Sequence, residues 1–168
     1  MLQHFKKISF LCFGILLFVS CATIPPQAKV RSNFDVHKYM GTWYEIARID
    51  FRFEKNLNNT SASYTLKNDG AVEVLNRGFN VKSKEWKQAL GKAKFRGAKD
   101  RAALKVSFFG PFYAGYNVIA LDEGYNYALV AGKNLDYLWI LSRDKKIPEA
   151  IKKEYLKIAQ DVGYDTSR

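Results

Sequence analysis

GTWYEIARID (41–50) sets a glycine, a tryptophan and a tyrosine together at the head of a largely apolar run, with Arg48 four residues after Tyr44. Trp and Tyr suit a pleated, half-buried surface, and a glycine before them is turn punctuation, so the stretch predicts a first strand. Twelve Phe, ten Tyr and three Trp among 168 residues carry the same bias through the chain. Working outward, short β-runs separated by turn signals continue to residue 143. SASYTLKNDGAVEVLNRGF (61–79) reads as a hairpin, because Asn68-Asp69-Gly70 supplies residues that tolerate positive φ between two alternating arms. Further runs cover 86–96, 102–109, 113–122, 125–131 and 137–142, which brings the strand count to eight. Helical spacing enters only in IPEAIKKEYLKIAQDVG (147–163), where Pro148 opens the segment, Ile151, Tyr155, Ile158 and Val162 share a face, and Gly163 ends it.

Eight antiparallel strands joined by hairpin-length connections close most simply into an up-and-down barrel, which removes the open edges of a flat sheet. The expected class is all-β, with the single C-terminal helix packed outside. A barrel of this size either holds one small ligand or fills with its own side chains. Strand parity names the inward residues: Ala62, Tyr64, Leu66, Val72 and Val74 in the hairpin, Ala89, Gly91, Ala93 and Phe95 in the fourth run, and Leu104, Val106 and Phe108 in the fifth. The fourth run's apolar face is built mostly of small residues, which leave space; bulky side chains from the opposite wall filling that space is the alternative.

Three stretches in order carry a family likeness: GTWYEIAR with Gly41, Trp43 and Tyr44, LDEGYNYALV with Asp122, Tyr125 and Tyr127, and YLWILSR ending on Arg143. With the helix behind them they resemble the lipocalins, specifically the bacterial outer-membrane lipoprotein lipocalins, over about residues 33–166. The resemblance implies that Trp43 plugs the narrow end of the barrel and that Arg143 lies across its indole, a cation–π contact of roughly 0.5–2 kcal/mol. Tyr137, Trp139 and Leu141 then share Arg143's side of the last strand and climb toward the mouth, so Tyr137 and Trp139 join the cavity candidates. The chain stops at GYDTSR, so the C-terminal tail of close relatives has little counterpart; a homodimer is left open, and any contact made through that tail is in question.

At the other end, MLQHFKK and the apolar run 8–19 have the form of a secretory signal, too short to span a bilayer. FVSC resembles a bacterial lipobox, which implies a signal over 1–20, acylation of Cys21, a tether over 21–32 and the binding domain over 33–168. Cys12 leaves with the signal, and no aspartate follows Cys21, so the resemblance places the acylated chain at the outer membrane, facing the periplasm. Ordinary cleavage near Ser20 with a free thiol is the other reading. One acyl chain anchors weakly and several anchor stably. A flexible tether of about twelve to nineteen residues would hold the barrel about 17–26 Å from the bilayer on average.

Catalytic and metal chemistry find little support. His37 is the one histidine outside the signal, and no nucleophile elbow or phosphate loop is present. Asp50 and Glu54 flank FRF and read as solvated loop charges. The net charge is +11, and losing Lys6 and Lys7 leaves 25 basic residues against 16 acidic ones. Export disfavours nucleic acid, so anionic headgroups are the expected counterpart of that charge. The expectation is a binding protein, not an enzyme, without cofactor or metal, that stores or transports a fatty acid or lysophospholipid (palmitate is one candidate) in the cell envelope. An adaptor acting through surface contacts in envelope assembly or stress, with an incidental cavity, is the other class.

Overall fold

The computed structural model describes residues 23–168. A short helix α1 (Val36–Tyr39) precedes eight strands: β1 (Gly41–Arg48), β2 (Leu57–Leu66), β3 (Val72–Asn80), β4 (Glu85–Phe95), β5 (Ala103–Phe109), β6 (Phe112–Leu121), β7 (Tyr127–Ala131) and β8 (Leu138–Ser142). The helix α2 (Glu149–Val162) follows. Each strand pairs antiparallel with its neighbour in sequence, and β8 returns to β1 through Tyr44↔Ser142 and Arg48↔Trp139, closing the barrel. The expected strands and helix are therefore all present. The turn after β2 is tighter in its demand than the sequence implied: of Asn68, Asp69 and Gly70 only Gly70 takes positive φ, +77°, while Asp69 accepts a hydrogen bond from the Ala71 amide. The four-residue α1 was not legible, because one turn shows no period; Asp35 caps it by accepting from the His37 amide at 2.9 Å.

Strand parity divides the apolar side chains between two cores. Trp43, Tyr64, Val72, Val74, Leu104 and Val118 face the barrel interior. Ile49, Leu129, Leu138 and Ile140 face outward and meet Tyr155, Ala159 and Val162 of α2. β7 and β8 are thus buried on both faces, which is why ALVA and LWIL read as nearly continuous apolar runs.

α1 and the connections 67–71, 96–102 and 122–126 gather at the end of the barrel that holds Trp43, while 49–56, 81–84, 110–111 and 132–137 surround the opposite, open end. The stretch expected to be a free tether is, from Thr23 onward, laid against the outer wall. The Arg31 amide donates to the Val118 carbonyl (2.8 Å), the Ala102 amide donates to the Arg31 carbonyl (2.9 Å), and Pro25 is fully buried. Asn117, 0 % exposed, donates from Nδ2 to the carbonyls of Thr23 (2.9 Å) and Gly132 (3.2 Å). A polar, proline-containing stretch gave no sign of this, since its partners lie 71 to 94 positions away in the wall.

Candidate functional site

The closed end is held by one cation and one indole. Trp43 is completely buried and donates from Nε1 to the Tyr39 carbonyl at 2.9 Å. The Arg143 guanidinium lies 4.0 Å from the Trp43 ring centroid and donates to the carbonyls of Lys38 (2.8 Å), Thr42 (2.9 Å) and Tyr125 (3.2 Å). It ties α1, β1 and the 122–126 turn into one floor. Gly41 takes φ +92°, a conformation that disfavours a side chain, beside the Arg143 guanidinium. Asp122 shapes the turn by accepting from the amides of Gly124, Asn126 (2.7 Å) and Tyr127 (2.6 Å). The Tyr125 hydroxyl accepts from the Asp35 amide, and the Tyr127 carbonyl accepts from the Tyr155 hydroxyl. Tyr44 is half-buried with Lys145 5.8 Å above its ring. These motif residues hold the scaffold together.

Above the floor the hydroxyls of Tyr39 and Tyr64 each share a hydrogen bond with that of Tyr116, at 2.7 and 2.8 Å. Burial pushes all three phenols up, so they stay neutral across the physiological range. Three hydroxyl protons serve two bonds, which leaves one for whatever lies above.

Around and above this polar floor runs a cavity of about 680 Å³ whose wall includes Ala62, Tyr64, Val72, Val74, Ala89 and Ala93 from β2 to β4. Leu104, Val106 and Phe108 continue it in β5, and Tyr137 and Trp139 complete it near the mouth. The interior is therefore not a solid core. Three of the expected wall residues do not line it. Leu66 and Phe95 sit at the closed end and pack into the interior apolar cluster, Phe95 with its ring 6.3 Å from that of Phe34. Gly91 is covered by Phe108, since a Cβ there would come within 2.7 Å of that ring. A second, shallower hollow of about 860 Å³ opens on the outside where β4 and β5 part, edged by Lys67, Asp69 and Lys92; its charged rim and exposure make it a surface feature.

The mouth carries the feature that sequence reasoning missed. Asp50 is solvated as expected, its side chain 61 % exposed, but Glu54 is only 17 % exposed and borders the cavity. The connection 49–56 folds inward over the mouth, where Trp139 Nε1 donates to Glu54 Oε2 at 3.1 Å. Burial, reinforced by the nearby Glu45 charge and opposed by the Trp139 hydrogen bond and by Arg48, pushes the Glu54 carboxyl up to about 7. Arg48 braces this loop: it pairs with Glu45 at 2.5 Å and Asp50 at 3.1 Å, and donates to the carbonyls of Glu54 (3.1 Å) and Leu57 (2.9 Å). That is the task of the arginine four residues after Tyr44. Phe51 meets Tyr137 and Trp139 edge-on, with centroids 5.2 and 5.6 Å away, so the carboxyl sits within an aromatic collar. Among the described residues no three His, Cys, Asp or Glu side chains converge to hold a metal ion.

A plugged floor, an arginine locked over the plug and a hollow interior coincide with a match of residues 34–168 to the family model described as a lipocalin-like domain. The chain is a lipocalin. It is 53 % identical over 154 residues, 90 % of this chain and 87 % of the relative, to the outer membrane lipoprotein Blc of Escherichia coli (strain K12). The protein of the same description from Vibrio cholerae is 43 % identical over 160 residues, covering 95 % of this lipocalin and 94 % of that protein. Mouse apolipoprotein D is 39 % identical over 132 residues, 73 % of this chain and 68 % of its own. Among solved structures, insecticyanin of the tobacco hornworm Manduca sexta superposes with a TM-score of 0.68 at 21 % identity, over 84 % of this chain and 82 % of that one, a likeness of fold. This lipocalin thus belongs with the lipid-anchored lipoproteins of the outer membrane. Cys21, the expected acylation site, lies outside the described residues.

Proposed function

We propose that this lipocalin, anchored through acylated Cys21 at the periplasmic face of the outer membrane, carries one long-chain lipid with its tail in the cavity and its head at the mouth. The observation that carries this reading is the cavity of about 680 Å³, apolar along its walls, closed at one end by Trp43 and bordered at the other by Glu54. That volume is within the common range of roughly 300–1,000 Å³ for sites that hold one small molecule. Of fatty acid and lysophospholipid, the mouth favours a lysophospholipid whose head ends in an ammonium. An ionised Glu54 attracts that cation, and the rings of Phe51, Tyr137 and Trp139 offer it cation–π contact. A fatty acid carboxylate brought to the same place meets a second carboxyl, and one of the two must keep a proton.

Titration separates the two ligands. Glu54 is neutral below about pH 7 and charged above it. Affinity for lysophosphatidylethanolamine should rise as pH passes upward through about 7, and affinity for palmitate should fall over the same interval. Glu54→Gln should flatten both profiles. Displacement of a fluorescent probe from the cavity between pH 5.5 and 8.5 reads this, and opposite slopes, or slopes kept by the glutamine variant, would contradict the head assignment.

A further inference from the structure

Most of the large apolar side chains exposed on the described residues gather at one end, Leu90 in mid-β4 (62 % exposed) being the exception. Phe53, Phe109 and Phe112 are 65, 70 and 80 % exposed and lie in or beside the 49–56 and 110–111 connections. Val81 and Leu135 stand exposed in the 81–84 and 132–137 connections, and Trp86 is 54 % exposed one residue into β4. All of these belong to the open end. The connections at the closed end present no large exposed apolar side chain among the described residues. A soluble surface rarely gathers such residues around one opening without a partner.

Charge at that end has one dominant sign. Arg52, Lys55, Lys82, Lys84 and Lys133 are exposed on the open-end connections and none is in an ion pair among the described residues. The exposed acids there, Asp50, Glu85 and Asp136, are engaged by Arg48, Lys87 and Arg168. Aromatic tips ringed by free cations match an anionic phospholipid surface, with apolar side chains in the acyl boundary and lysines at the headgroups. A second copy of the chain fits less well, because a two-fold contact through this rim would set Lys82 and Lys84 against their own counterparts.

The N-terminal segment adds a constraint of length. Because Thr23 is fixed to Asn117 in mid-β6, next to Gly132 at the start of an open-end connection, the acylation site two residues earlier stays within about 7 Å of Thr23 along the chain. No spacer is left to hold the barrel away from the bilayer. Phe112 lies five residues before Asn117 on β6 and Leu135 three after Gly132, both exposed toward the open end.

We propose that the open rim of this lipocalin docks on an anionic phospholipid bilayer, mouth toward the membrane, so that lipid passes between bilayer and cavity without crossing water. The docking of the rim stands by itself; its joint geometry with the anchor rests on the acylation of Cys21 in the function proposed above.

Two measurements test it. The full mature chain carrying Cys21→Ser should co-sediment with vesicles of phosphatidylethanolamine and phosphatidylglycerol but poorly with phosphatidylcholine. Lys82→Glu/Lys84→Glu, which lies outside the cavity wall, should weaken that binding by about tenfold or more while lysophospholipid uptake in solution is unchanged. Absence of vesicle binding, indifference to the charge reversal, or a dimer in solution that buries the rim overturns the proposal. In the acylated chain reconstituted in the same vesicles, a bulky maleimide should label a cysteine at Lys99→Cys, on the closed end, several-fold faster than one at Phe112→Cys, and equally fast in detergent. Equal rates in vesicles overturn the orientation. An acylated chain that labels as expected but takes up no lipid refutes the cavity reading alone.

Discussion

Arg143 joins three backbone segments, since its guanidinium serves carbonyls of Lys38, Thr42 and Tyr125 while covering the Trp43 ring. Arg143→Ala should cost about 2–4 kcal/mol, because it removes charge-assisted hydrogen bonds and a cation–π contact together. Arg143→Lys should recover only a minor part, since an ammonium cannot span three acceptors in one plane. Urea unfolding followed by Trp43 emission measures both, and a lysine variant as stable as the parent would refute the account of the floor. Trp43 and Arg143 were legible in the sequence because their neighbours GTWY and LSR keep a fixed pattern. Glu54 and the Tyr39, Tyr64, Tyr116 cluster were not. Their burial depends on partners 52 to 85 positions away, and nothing adjacent to Glu54 marks it as anything but a loop acid.

At the scale of elements, alternation carried the strands: Trp139 and Leu141 face the interior and Leu138 and Ile140 face α2, as a period of two requires. The same parity misplaced Leu66 and Phe95, because inward direction does not say how deep along a tilted strand a residue lies, and Gly91, because Phe108 covers it. The strap over residues 23–32 was misread for a different reason, its bonds being made largely by its backbone to Asn117 and the wall, with Arg96 donating to the Thr23 hydroxyl. Asn117 is the joint of that element. It accepts from Arg96, and it donates to the carbonyls of Thr23, Ala131 (3.1 Å) and Gly132. Asn117→Ala should destabilise the protein by about 1–3 kcal/mol through unsatisfied buried groups. It should also release the strap, with residues 23–32 cut by protease and exchanging amide hydrogen well before β6. Protection of the strap equal to that in the parent would show that Asn117 does not hold it.

Taken as a whole, the molecule is a closed end that fixes shape and an open mouth, with the cavity between them. Ala93 lies low on the wall, two residues from the closed end of β4, 4 % exposed and paired with Val72 and Val106 on the neighbouring strands. A tryptophan there projects into the hollow, so Ala93→Trp should fill the space an acyl tail needs while the barrel, which has room for it, still folds. The most direct test of the carrier reading is native mass spectrometry of the protein purified from bacteria, stripped of lipid and offered lysophosphatidylethanolamine at micromolar concentration. The account predicts a one-to-one lipid adduct on the parent chain and none on a folded Ala93→Trp variant. A parent barrel that stays empty across a panel of long-chain lipids, or an Ala93→Trp barrel that carries the same adduct, would contradict it.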